Sequence, residues 1–305
     1  MKLYAPAYYK QFTCVADKCT HSCCVGWEID IDSDTLLTYR HMDRDYGEVI
    51  RNSIDISGET PCFCLSNGDR CPHLNEQGLC NIIIHAGEEY LCSICREHPR
   101  FYNDTPYGKE VGLGMACEEA CRLILTSPDF AEALEIGEVE GDVEDAPFDA
   151  LPYRSKVFTI LNDNVLTYKE KLSTLSQLFG VSPACRTDDE WREILVSLEY
   201  LDGGHRALFG EYTSDVVIPA TLEPYLVRAL AYFVYRHGSS ADDEATFKAA
   251  LGFGMLCVAL MASIATAKGI YDLSELVEIG RIVSEELEYS EENTDTIKWE
   301  FLFGT

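Results

Sequence analysis

At 305 residues the chain is long enough for one large domain or two ordinary ones, each burying its own core, so disulfides are not needed for bulk stability. Its 52 acidic and 24 basic residues give a formal net charge of -28, which argues against binding nucleic acid or anionic lipid through phosphate neutralisation and suits a basic partner. The opening MKLYAPAYYKQFT has no charged leader followed by an apolar run and a small-residue cleavage site, which predicts a cytoplasmic chain with reduced thiols.

Twelve of the 14 cysteines fall between Cys14 and Cys121. Soft thiolates at this density read as ligands for zinc or an iron–sulfur cluster. In the first block, FTCVADKCTHSCCVGWEIDID, Cys19 and Cys23 are four apart and share a face if the stretch is helical, whereas Cys24 points about 100° away from Cys23. Trp27, Ile29 and Ile31 alternate with acids, as in a strand or an extended entry, and Asp32 or Ser33 can cap a helix over 34–46. From 47 to 77 the turn formers Gly58, Pro61, Gly68 and Pro72 place Cys62, Cys64 and Cys71 on loops.

Cys92 and Cys95 form a CxxC, a weak signal alone but a strong one for metal beside Cys71, Cys80 and Cys117. Arg96, His98 and Arg100 follow, where cations would lower a thiol pKa. The segment from Leu113 reads as a helix stopped near Pro128; Cys117 on it reads as a ligand, and Cys121 as either a ligand or a buried small hydrophobe.

Eight acids and no base between 131 and 150, with two glycines and Pro147, predict a solvated linker. The predicted organisation is therefore a cysteine-rich domain over 1–130, a linker over 131–150 and a helical domain over 151–305. The expected helices run from Pro152 to Phe179 with Gly180 as a stop, from Glu190 to Leu201 capped by Asp188 or Asp189, from Glu223 to Arg236, from Ser240 to Lys268, from Leu273 to Tyr289, and through Trp299 and Phe301 at the end. Leu251 to Ala267 runs 17 residues without a charge, at the short limit for a membrane span, and reads as a buried central helix with no stable membrane insertion. Cys185 and Cys257 stand apart as core or surface thiols. The fold class is mainly α: a metal-binding N-terminal domain of loops and few short strands, then an all-helical domain.

No strand leads into a GxGxxG, and no CxxxCxxC, GxSxG or HExxH occurs. The three ordered blocks FTCVADKCTHSCCVGWEIDID, CPHLNEQGLCNIIIHAGEEYLCSICREHPR and VGLGMACEEACRLIL closely resemble the flagellin lysine-N-methylase (FliB-type) family, itself related to CxxCxxCC zinc- or iron-chelating proteins, over roughly residues 3 to 126. The resemblance implies methyl transfer from S-adenosylmethionine to a lysine ε-amine of a protein substrate, flagellin, and an iron–sulfur cluster, 4Fe–4S ahead of zinc, held by these cysteines. It carries over Cys14, Cys19, Cys23, Cys71, Cys80 and Cys95, with Cys24, Cys92 and Cys117 as further metal candidates. The opening spacings of five and four depart from a plain CxxCxxCC.

Methyl transfer needs the neutral amine, so such a site must lower a lysine pKa or supply a base. Tyr8, Tyr9, Trp27 and Glu28 are pocket candidates whose ordinary reading is core aromatics and a solvated acid. No catalytic or donor-binding residue is assigned. The alternative is a non-enzymatic metal-binding or metal-sensing module with a helical partner-binding domain.

Overall fold

A computed structural model describes residues 1–43, 45–66, 68–141 and 148–303. It divides into two compact units, Thr13–Pro99 and a larger one formed by Met1–Phe12 with Arg100–Thr305. The cysteine-rich unit is thus inserted in sequence into the larger one: after β1 (Lys2–Pro6) the chain leaves, and it returns at Arg100. The expected boundary lay near 130, at the change of composition; the division follows packing instead.

In the smaller unit, Asp32 caps α1 (Ser33–His41) by accepting from the Thr35 amide at 3.0 Å, one of the two residues expected there. The helix stops at His41, and a second short helix, α2 (Gly47–Asn52), occupies part of the stretch expected as loop. β2 (Ile54–Asp55) and β3 (Cys62–Phe63) pair antiparallel, and α3 (Asn81–His85) and α4 (Ser93–Glu97) complete the unit. Ile29, Ile31, Tyr39, Ile50, Phe63 and Ile82 form its apolar core.

The larger unit opens with a mixed sheet. β4 (Arg100–Thr105) and β5 (Gly108–Leu113) form a hairpin, and β1 lies parallel to β5. Gly108 has φ +144, and a Cβ there would sit 2.5 Å from the Lys2 carbonyl oxygen, so only glycine lets β1 close on the hairpin turn. α5 (Glu118–Thr126) ends before Pro128 as expected.

The acidic stretch is not linker throughout. Ala133–Glu138 is β6, the edge strand antiparallel to β1, which completes the sheet order β4-β5-β1-β6. Five of its six residues are exposed, so no alternating apolar face announced it. Residues 142–147 of that stretch lie outside the described residues.

The remainder is helical, as expected. The long helix expected from Pro152 to Phe179 is two, α6 (Leu151–Leu161) and α7 (Tyr168–Phe179), because Asn162 and Asp163 turn the chain and Thr167 with Glu170 builds a capping box that starts a new helix. Gly180 ends α7 at φ 68. α8 (Asp188–Ser197) is capped by Thr187 rather than by an aspartate, and α9 (Gly203–Phe209) follows it. α10 (Glu223–Gly238), α11 (Glu244–Lys268), α12 (Leu273–Glu288) and α13 (Glu291–Phe303) form the central bundle. By length and composition α11 could cross a membrane, but 89% of its apolar window is buried, because α10, α12 and α13 pack around it. Gly252 of α11 leaves room for Phe301 of α13; a Cβ there would lie 2.5 Å from the ring.

The sheet is tied to the helices by one buried ion pair. Arg154 of α6 donates to both carboxylate oxygens of Glu110 on β5, each at 2.7 Å, and stacks over the Tyr235 ring of α10 at 4.9 Å. The Tyr107 hydroxyl donates to Glu110 at 2.6 Å, and Arg154 also bonds Ser239. Arg154→Met, which strands the buried Glu110 charge, is expected to lower unfolding free energy by about 3–5 kcal/mol in urea titrations, and adding Glu110→Leu is expected to recover much of that loss.

Candidate functional site

Five cysteines converge on the core of the smaller unit. Cys71 and Cys92 are buried, and Cys24, Cys80 and Cys95 pack half-buried against the same apolar cluster. The backbone brings them together by short, local devices. The Cys71 amide donates to the Cys24 carbonyl at 2.8 Å, joining the first block to the loop block. Leu74 and Cys80 form an antiparallel bridge, so the chain doubles back between Cys71 and Cys80. Cys80 and Cys92 stand at the first ends of α3 and α4. Asp32 serves twice: besides capping α1 it accepts from the Ser93 amide at 2.8 Å and so fixes where the CxxC helix begins. No motif marked it for that second role.

The electrostatics of this set are those of thiols crowded in an apolar place. Burial pushes Cys71 up to about 12 and raises Cys80, and each is raised further by its cysteine neighbours. The Cys92–Cys95 hydrogen bond favours the thiolate of Cys92 and keeps Cys95 protonated. Cys24 is lowered to about 7, first by its bond with Cys23, with help from Ser22 and the Arg70 guanidinium. Thiolates crowded in a buried spot repel one another unless a cation lies among them, and among the described residues no three of these sulfurs lie within 4.8 Å of one another.

The other candidates sit differently. Cys14 and Cys23 are exposed and Cys19 half-buried, and Cys23 is tied to the five through its bond to Cys24. Cys62 is raised by burial and by Glu28, and Cys64 is exposed. Cys117 belongs to the larger unit, where it caps α5 half-buried against that unit's core. Cys121 is a core thiol, fully buried and donating to the Val277 carbonyl at 3.4 Å. Cys257 is core and Cys185 surface, as expected.

Of the expected cations, Arg96 contacts Glu97, the Ser93 hydroxyl and the Leu91 carbonyl, and Arg100 lies in the larger unit, donating to the Tyr9 hydroxyl at 3.0 Å. The cation acting on Cys24 is Arg70, which sequence reasoning passed over. His73 is not poised as a ligand: Tyr46 and Ser53 occupy its two ring nitrogens at 3.0 and 2.9 Å, and burial lowers it to about 4. Of the aromatic candidates, Tyr8 is buried in the larger unit's core, while Trp27 belongs to the smaller unit.

The larger unit holds a cavity of about 670 Å³ between the end of α10, the start of α11 and α13. This is the size range of small-molecule and cofactor sites. His237, Asp242, Thr246, Asp295, Lys298 and Trp299 are among its walls. A separate trio, His205, Glu285 and Glu286, is the one group of three donor side chains among the described residues with ligand atoms within 4.8 Å of one another. Its acids are already engaged: Glu286 accepts from the Leu201 and Asp202 amides at 2.8 and 3.1 Å and pairs with His205 at 2.6 Å, while Glu285 pairs with Arg281 at 2.6 Å. The trio joins α9 to α12.

Among curated proteins, the lysine-N-methylases of Salmonella typhimurium and Salmonella choleraesuis are each 28% identical over 187 residues, 58% of this chain and 45% of theirs. The flagellar biosynthetic protein FliU of Salmonella muenchen is 31% identical over 144 residues, 44% of this chain and 80% of its own. The chain thus spans less than half the length of the lysine-N-methylases it matches. No family model and no solved structure matches it. Because Asp32 holds two helix starts at once, Asp32→Ala is expected to cost about 1–3 kcal/mol, seen as an earlier urea midpoint for the smaller unit.

Proposed function

We propose, because this chain belongs to the flagellin lysine-N-methylase (FliB-type) family, that it transfers a methyl group from S-adenosylmethionine to a lysine ε-amine of a protein, with flagellin as the substrate. The observation that carries this reading is the likeness to FliU, which spans four-fifths of that protein, together with the lysine-N-methylase relatives. The charge of -28 supports it, since an acidic surface draws in a lysine-bearing partner and a cytoplasmic setting would supply the donor.

Among the described residues the sheet, ordered β4-β5-β1-β6 with antiparallel pairs at both edges, has no doubly wound crevice for a nucleotide. Donor and amine would meet instead in the cavity between α10, α11 and α13. Its residues fit a sulfonium donor: Asp242 and Asp295 offer carboxylates to cationic groups and Trp299 an aromatic face.

The smaller unit would hold a metal centre through Cys24, Cys71, Cys80, Cys92 and Cys95, four of them as ligands, with Cys23 in reach through Cys24. Among the described residues no three of these sulfurs lie within 4.8 Å of one another. Four thiolates on one zinc at about 2.3 Å would be about 3.8 Å apart. The choice of 4Fe–4S over zinc rests on the resemblance of the three cysteine blocks. When bound, the centre supplies folding energy to a unit with a small apolar core.

A second reading, a non-enzymatic metal-binding or metal-sensing module, is favoured by the missing GxGxxG motif; it predicts no calorimetric isotherm with S-adenosylmethionine. Anaerobically purified full-length chain, incubated with methyl-labelled S-adenosylmethionine and flagellin, is expected to label lysine. No label on flagellin or on any lysate protein would overturn the methylase reading. For the metal centre, Cys92→Ser and Cys71→Ser are expected to lose bound iron and the visible charge-transfer absorption, whereas Cys64→Ser and Cys185→Ser keep both.

A further inference from the structure

One ammonium in the cavity wall stands unpaired. Lys298 of α13 is half-buried, and among the described residues no hydrogen bond or ion pair reaches its Nζ. That nitrogen lies 5.9 Å from the centroid of the Phe253 ring of α11, a fully buried side chain. Burial lowers the pKa of Lys298, with Arg236 adding to the effect, against the pull of Asp295 and Glu288. An ammonium in such a place is stabilised when an anion comes within hydrogen-bond reach, because the anion replaces the hydration that burial removed.

The carboxylates of the fold leave that role open. Glu288 already accepts from His237 at 2.7 Å, from the Tyr232 hydroxyl at 2.8 Å and from Ser284. Glu300, another wall residue, pairs with Arg186 at 2.8 Å. Asp295 stands one turn before Lys298 on the same helix, yet no ion pair joins them, and among the described residues neither Asp242 nor Asp295 is paired with a cation. The wall therefore presents one unanswered ammonium and two unanswered carboxylates. Separated opposite charges of this kind complement a zwitterion, and an α-amino acid group carries its carboxylate and ammonium on one carbon.

We propose that the cavity selects a ligand bearing an α-amino acid group, and that Lys298 is the specificity-determining residue that binds its carboxylate. The identity of the ligand, S-adenosylmethionine, rests on the methylase reading above. Its methionyl end then lies against α13, with the carboxylate on Lys298 and the ammonium toward Asp242 and Asp295, and the sulfonium and nucleoside are left to the rest of the wall. Lys298 thereby separates this donor from sulfonium compounds that lack the carboxylate, a distinction that the acidic residues, which answer only positive charge, do not make.

Calorimetric titration of the full, anaerobically purified chain with S-adenosylmethionine and with its decarboxylated analogue, which keeps the amine, the sulfonium and the nucleoside, tests the assignment. The parent chain is expected to bind S-adenosylmethionine about 10- to 100-fold more tightly than the analogue, the range for a hydrogen bond between charged groups. Lys298→Met, shown by thermal melting to be folded, is expected to lose that preference by weakening S-adenosylmethionine alone, and Lys298→Arg to keep most of it. A parent preference under threefold overturns the proposal. So does a Lys298→Met variant that keeps the preference or weakens both ligands by the same factor. Should Lys298→Met not fold, the parent chain and Lys298→Arg decide. In each of these failures, labelling of a flagellin lysine by the parent chain leaves the methylase reading standing. A parent chain that binds neither ligand overturns the proposal, and one that also labels no lysine overturns the methylase reading with it.

Discussion

Burying the carboxylate of Glu288 imposes a condition that the surrounding helices must meet. A charge removed from water is tolerable only where donors and cations replace the lost hydration. Here α10 supplies them from one face and one end, with Tyr232, Arg236 and His237, and α12 adds Ser284 one turn back. Tyr232 in turn accepts from the Met115 amide at 3.1 Å and from Arg236 at 2.9 Å, so the network reaches the segment ahead of α5. The helices that enclose α11 are therefore placed by polar satisfaction as well as by apolar packing. Where the network meets the cavity, His237 Nδ1 has no hydrogen-bond partner among the described residues.

The smaller unit meets a comparable condition by other means. Its apolar core is short, and five thiols occupy part of what would otherwise be packing volume. Burial raises Cys71 and Cys80, while hydrogen bonds let Cys24 and Cys92 ionise more readily. Thiolates so arranged repel one another, and the centre proposed above would turn that cost into folding energy. Asp32 and Arg70 orient the scaffold around the thiols without being donors themselves, as outer partners do at metal sites.

Much of the local structure was legible in the sequence. Asp32 as a cap, the stop before Pro128, Gly180 in the left-handed region and the bounds of α10 follow from rules acting over four or five residues. The burial of α11 was legible too, since its apolar residues surround the whole helix and no single face is left for water. β6 was hidden because an exposed edge strand needs no apolar alternation, and its acids read as linker. The split of α6 from α7 turns on one capping box within a pattern that periodicity treated as continuous.

By itself, then, the sequence determined that the chain is mainly helical, that its cysteines form three ordered blocks, and which family those blocks belong to. Tertiary structure alone decided which of the cysteines converge, because spacing along a loop-rich chain does not determine where its turns bring the sulfurs. It also decided that β1 closes a sheet with strands about 100 and 130 residues away, and that His237 meets a glutamate 51 residues on. Such pairings are set by which surfaces bury best against one another across the whole fold. No short-range preference encodes them, since a histidine at a helix end and a glutamate at another look alike whether solvated or buried face to face.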